Sequence, residues 1–183
     1  MSSNNSTPNI PPARTVASTQ SETSEIIQPN DTNVLGILLG GRLMHMMDMT
    51  GAIAAFRHAR TYLVTAAMDH IDFIRPVRLG SLITLKASVN RAFSTSMEVG
   101  VKAWTEDPQT GELEHVASAY LVFVAIDTEG HPQKVPQLLP ETPYEKRRYA
   151  DALLRRKHRE AEKARRKQER HAHVAPEAAA QSK

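Results

Sequence analysis

From Gly41 to His58 the chain reads GRLMHMMDMTGAIAAFRH, and this stretch limits the folds open to it more than any other. Leu43, Met44, Met46, Met47, Met49, Ile53 and Phe56 set apolar groups around most of a helix's circumference. A helix apolar nearly all round is normally buried. No apolar run in the chain approaches the ~18 residues of a membrane span, so the rest of the chain must wrap this helix.

The wrapping material is strand-like. Ser21 to Pro29 holds a short first strand around Ile26 and Ile27. Tyr62 to Phe73 is rich in β-formers and stops at Arg75-Pro76. Ser81 to Phe93 alternates, with Ile83, Leu85, Ala87 and Val89 opposed to Thr84, Lys86, Ser88 and Asn90. Ser96 to Thr105 alternates again, with Met97, Val99, Val101 and Ala103 opposed to Glu98 and Lys102. Glu114 to Ile126 ends in Leu121-Val122-Phe123-Val124-Ala125-Ile126, as a strand buried on both faces does. The layout predicts an α+β fold, a single domain in which a curled antiparallel sheet of about five strands wraps one long helix.

Charge divides the chain further. The first 140 residues carry 10 basic and 13 acidic side chains, and the rest carry 13 and 7. The high isoelectric point therefore belongs to the tail, and the body does not read as a nucleic-acid binder. Residues 144–170 predict a basic C-terminal helix, docked through Tyr149, Leu153 and Leu154 and solvated beyond Arg155. The expected boundaries are a disordered segment at 1–19, the domain at 20–140, the basic helix at 141–170 and a disordered tail at 171–183. The N-terminal residues lack a basic segment followed by an apolar run, so no secretory signal is expected. The chain has no cysteine, which excludes disulfides and thiolate chemistry and suits the cytoplasm.

One residue contradicts its surroundings. Asp48 sits between Met47 and Met49 in the helix expected to be buried. An unpaired carboxylate there costs several kcal/mol (about 2–7 for a polar group alone), so it is either satisfied by amides or an arginine, or it works as a base. Gly51 and Ala52 leave room beside it or allow close helix–strand packing. Gly40-Gly41 precede the helix, where unpaired N–H groups suit an oxyanion or merely a tight turn. His45 reads as a dyad partner or as a space-filler. No histidine spacing fits a metal site, and none is expected.

In order along the chain, Asp31-Thr32-Asn33-Val34-Leu35-Gly36, Gly40-Gly41-Arg42-Leu43-Met44 and Met47-Asp48 resemble the DTNxxG…GGxLMxxMD signature of hotdog-fold acyl-CoA thioesterases, nearest the cytosolic acyl-CoA hydrolase branch. Phe73-x-x-Pro76-Val77-x-x-Gly80, Thr95-Ser96-Met97-Glu98-Val99 and Phe123-Val124-Ala125-Ile126-Asp127 extend the resemblance over about residues 20–160. Leu39, Ile37 and the Arg91-Ala92-Phe93-Ser94 stretch depart from the pattern.

The resemblance implies hydrolysis of acyl-CoA to CoA and a carboxylic acid. Asp48 is the implied general base or nucleophile and Asn33 its essential partner, with Gly40 and Gly41 holding the oxyanion. Candidates for CoA and acyl binding are Thr65, Arg91, Ser94, Thr95, Ser96, Arg155 and Arg156. No cofactor is implied, since CoA enters within the substrate, and neither a nucleic acid nor a membrane partner is expected. Homodimers with the site between subunits, assembled as a trimer of dimers, are implied. The alternative is a non-catalytic acyl-CoA-binding regulator on the same fold; a hydratase would depend on His45 and ranks last.

Overall fold

The structure is a computed structural model describing residues 12–107 and 109–180. Its main sheet has five strands: β2 (Ser21–Ile26), β3 (Tyr62–Phe73), β4 (Leu82–Ala92), β5 (Ser96–Glu106) and β6 (Leu113–Ile126). They lie in the order β2-β4-β5-β6-β3, every neighbouring pair antiparallel. The helix α1 (Gly40–Ala59) crosses one face of the sheet. This is the expected hotdog arrangement of long helix, five-stranded sheet and C-terminal helix.

Period-two alternation decides which side chains meet α1. Ile83, Leu85 and Val89 of β4 and Met97, Val99, Val101 and Ala103 of β5 are buried in the core, as are Ala119, Leu121, Phe123 and Ala125 of β6. Leu43, Met46, Met47, Ala54 and Ala55 of α1 close on them. Gly51 sets the approach distance. A Cβ there would lie 3.3 Å from Val101 Cγ2 and 3.4 Å from the Phe123 ring, so Gly51 serves packing rather than room beside Asp48. At the end of α1, His58 is fully buried, with Nε2 2.9 Å from the Pro136 carbonyl oxygen. Burial holds its pKa below the ordinary histidine value, against the pull of that hydrogen bond.

Three expectations need correction. First, α1 is not wrapped on all sides: Met44, Met49 and Phe56 remain 37%, 52% and 46% exposed. One sheet covers one face of a helix, and the other face stays open among the described residues. Second, residues 12–19 are not disordered. The short strand β1 (Arg14–Thr15) pairs in parallel with β7 (Leu138–Leu139), and a 3-10 turn follows at Ala17–Thr19. Val16 is buried, and the buried Thr19 hydroxyl accepts the Val89 amide at 3.0 Å and donates to the Val16 carbonyl at 2.7 Å. Residues 1–11 and 181–183 lie outside the described residues. Third, the C-terminal helix α2 (Pro143–Ala180) continues past residue 170, the boundary expected for the tail.

The face of the sheet opposite α1 carries α2. Arg155 lies over the Tyr120 ring at 3.8 Å, and a Cβ at Gly100 would overlap the Arg148 guanidinium. Ala152 is buried and Tyr149 packs against the core, whereas Leu154 is exposed rather than docked. Beneath α2, Glu98 is fully buried. It accepts from Asn90 Nδ2 at 3.0 Å and from Arg155 Nε and Nη2 at 3.1 and 2.7 Å. Arg159 reaches Asp69 of β3 as well, tying α2 across the sheet. Among the described residues, no helix is long and apolar enough to cross a membrane.

Candidate active site

Gly41, His45, Asp48, Ala52 and Phe56 follow one another along α1 at steps of three and four, so they share one stripe. None of the five is buried. Asp48 is therefore half-exposed on the open face of the helix, not enclosed as its apolar neighbours suggest. Its single hydrogen-bond partner among the described residues is Thr65 of β3, whose hydroxyl donates to Asp48 Oδ1 at 2.8 Å. Thr65 was expected to touch substrate; the structure aims it at the carboxylate. With Oδ1 occupied, Oδ2 is left to accept a proton.

Asn33 lies in the loop between β2 and α1. Its Oδ1 accepts the amides of Leu35 and Ile37 at 2.9 and 3.2 Å, which locks the residue into its own turn. Nδ2 makes no hydrogen bond among the described residues and is free to donate outward. Gly36 completes the turn at φ +68°, in the left-handed region that glycine enters without steric cost. Around Asn33, Val34 and Leu35 are apolar and exposed.

The helix begins at Gly40, with Leu39 as a cap that offers no side-chain hydrogen bond. The amides of the first turn are thus unpartnered by any cap side chain, and the helix dipole adds partial positive charge there. A Cβ at Gly41 would meet nothing within 4 Å, so nothing among the described residues requires a glycine there. The missing side chain leaves room there for a group that approaches from outside. Gly41→Ala is accordingly expected to leave the melting temperature unchanged or raise stability by up to ~1 kcal/mol, while kcat falls. Parallel melting and steady-state measurements check this. Beside the helix start, a cleft of about 320 Å³ is lined by Ile37, Gly40, Leu43, Phe73, Pro76 and Val77.

The candidates for phosphate recognition gather at the far end of the β4–β5 hairpin. Arg91 lies over the Tyr149 ring at 4.0 Å and donates to the Tyr149 carbonyl at 3.0 Å. Arg156 lies over Phe93 at 4.3 Å and donates to Glu160 at 2.7 Å. Ser94 is exposed, and Thr95 and Ser96 are half-buried beside them. Thr65 pairs with Phe123, which pairs in turn with Met97, so Thr65 and the hairpin end lie at one level of the sheet, two strands apart. Two strand spacings are ~10 Å, but Arg91 packs on Tyr149 of α2, on the face of the sheet opposite α1.

Arg155 does not join this group. Its Nε and Nη2 both face Glu98, so its guanidinium neutralises a buried carboxylate instead of waiting for a phosphate. Strand alternation assigns Glu98 to the solvent side, whereas α2 covers it and leaves it fully buried. The available signal was the stripe Arg148, Ala152, Arg155 and Arg159 on the helix that follows. His45 is exposed and forms no dyad with Asp48. Among the described residues, no group of three or more His, Asp or Glu is arranged to hold a metal ion.

Residues 35–112 match the thioesterase superfamily, and the chain belongs to it. Within that superfamily it is similar to an acyl-CoA hydrolase from Staphylococcus aureus, solved with butyryl coenzyme A, coenzyme A and coenzyme A disulfide. The two share 35% identity over 86% of this chain and 96% of that one, with a TM-score of 0.81. That hydrolase has also been solved with alanine in place of one Asp, one Asn and one Thr. The positions varied are 15 residues apart from Asn to Asp and 17 from Asp to Thr, the separations of Asn33, Asp48 and Thr65 here.

An apo-hexameric acyl-CoA thioesterase matches with a TM-score of 0.80 and 33% identity, over 84% of this chain and 98% of that one. Among curated relatives, the uncharacterized acyl-CoA thioester hydrolase YkhA of Bacillus subtilis is 43% identical over 114 residues. The shared stretch spans 62% of this chain and 66% of YkhA, just under two thirds of its length.

Proposed function

We propose that this protein hydrolyses acyl-CoA thioesters at sites shared between two copies of the chain. The observation that carries this reading is the geometry of α1. Gly41 and Asp48 lie on one uncovered stripe, seven residues apart, which at 1.5 Å per residue is ~10 Å. A carbonyl under attack must lie ~3 Å from both its oxyanion donors and the attacking water. One helix cannot bring its own first turn and its own Asp48 to the same carbon. Two antiparallel helices can, each offering its first turn to the other's carboxylate. The long edge strand β3, with Tyr62, Val64 and Phe73 exposed, offers the second copy an unpaired backbone to add to.

In this site Thr65 orients Asp48, and Asp48 Oδ2 takes a proton from water as the water oxygen bonds to the thioester carbon. The carbonyl electron pair moves onto oxygen, held by amides of the partner's first turn, while Asn33 Nδ2 of that copy donates to the water or the carbonyl. Collapse breaks the C–S bond and the thiolate leaves as CoA, taking the proton. The cleft beside Gly40 suits the apolar acyl chain or the pantetheine arm. Arg91, Arg156, Ser94, Thr95 and Ser96 are the candidates for the CoA phosphates, with Arg and hydroxyl donors that pair well with phosphate. CoA is thus substrate and product, and no further cofactor takes part. Assembly as a trimer of dimers is proposed by likeness to the hexameric relative, and a reducing cytoplasm fits a chain without cysteine.

Thiol release over acyl-CoAs of graded chain length tests the activity. Binding without release would favour the regulator. The shared site has its own test. Asn33→Ala and Asp48→Ala chains, each inactive alone, are expected to regain part of the parental activity once mixed and allowed to exchange. If exchange is demonstrated by mass and no activity returns, the two residues do not serve one site from two chains.

A further inference from the structure

A cation in the first turn of a helix has the wrong sign for the dipole. Arg42 occupies that turn in α1, and no acidic residue accompanies it there. Its partners lie outside the helix. Nε donates to Asp31 Oδ1 at 2.7 Å and Nη2 to Glu25 Oε2 at 2.7 Å. Asp31 is the stem of the Asn33 loop. Its other oxygen accepts the Gln28 amide at 3.0 Å, and its carbonyl accepts the Leu39 amide at 2.9 Å. The Gln28 amide and the Arg42 guanidinium hold its carboxyl below the ordinary carboxylate range. From Asp31 the chain runs out through Asn33 and returns at Leu39, with Thr32 and Leu38 bridged across the neck. Leu39 then caps α1, and its carbonyl accepts the Leu43 amide.

We propose that Arg42 is a positioning residue, fixing the Asn33 loop to the first turn of α1 so that Asn33 Nδ2 and the helix amides act as one unit. The inference rests on the shared-site reading above. Two effects follow from the geometry. The guanidinium fork spans two carboxylates and so sets the angle of the loop stem against the helix. It also cancels charge that would otherwise stand close to the oxyanion amides. Without it, Asp31 and Glu25 leave two uncompensated negative charges beside the place where a third develops in the transition state.

The experiment uses the full-length protein and has two readouts. In steady-state kinetics, Arg42→Ala is expected to lower kcat by ~10–100-fold, as a small misplacement of reacting groups does, with little change in KM. Arg42→Lys, which keeps the charge but not the fork, is expected to fall between Ala and the parent. In subunit mixing, Arg42→Ala should be restored by Asp48→Ala and not by Asn33→Ala, because Arg42 belongs with the Asn33 half of the site. Unchanged kcat in both Arg42 variants overturns the proposal, as does rescue by Asn33→Ala chains. Should Arg42→Ala melt well below the parent, Arg42→Lys and Asp31→Asn decide by the same kcat-against-KM comparison. Failure of the control mixture, Asn33→Ala with Asp48→Ala, counts against the shared site instead, and the kinetics then settle Arg42 alone.

Discussion

Asp48→Asn is expected to lower kcat by ~10²–10⁴-fold, the usual worth of a positioned base, and to leave the melting temperature within error of the parent. The amide is nearly isosteric and can still accept the Thr65 hydroxyl through its carbonyl oxygen, so the local geometry survives. What disappears is the second oxygen's ability to take a proton. Stability should not fall, because Asp48 stands on the open stripe of α1 and neutralises no buried charge. Turnover near the parental level in a well-folded Asp48→Asn protein would exclude Asp48 as base and as nucleophile alike. Those two roles separate in a single turnover in oxygen-18 water. A base delivers the label to the product acid, whereas an acyl-Asp48 anhydride opened at the aspartyl carbon delivers it to Asp48.

The contrast between Asp48 and Glu98 shows how much of this molecule its sequence discloses. Strand alternation places every core residue of β4 and β5 on its proper face, since one face of each strand meets α1 and the period is two. The same rule misplaces Glu98. It assumes that the second face meets water, and here that face meets α2, an element some fifty residues later in the chain. Asp48 fails in the opposite sense. Met44, Met49 and Phe56 make its helix look enclosed, but an apolar residue records that something covers it, not whether the cover is its own chain. The N-terminal pairing of β1 is quieter still. Only Val16 is apolar among its buried residues, and the rest of the order comes from the Thr19 hydroxyl and backbone hydrogen bonds, which composition does not report. Asn33, Asp48 and the glycines are legible as candidates because their motifs lie close in sequence. Arg42 is not, because its role depends on carboxylates brought to it by folding.

Arg155→Ala is expected to destabilise the protein by about 3–5 kcal/mol, the usual result of removing one partner from a buried ion pair. For a chain of 183 residues that corresponds to a fall in melting temperature of roughly 6–20 °C. The cause is the group left behind. Glu98 has no exposure to solvent, and Arg155 supplies two of the donors that satisfy it. Asn90 would remain as a neutral donor, and the Arg159 guanidinium at 3.9 Å is already engaged with Asp69. Replacing both members, Glu98→Met with Arg155→Met, should recover much of the loss, since a buried pair exchanged for apolar groups of similar volume is often neutral. Only the Asn90 amide would then lack its acceptor. Thermal melts at one fixed protein concentration compare the three proteins. The opposite pattern, an unchanged melt with a raised KM for acyl-CoA, is what a phosphate-binding Arg155 would produce. It would return this residue to the substrate site and leave the buried carboxylate to Asn90 and Arg159.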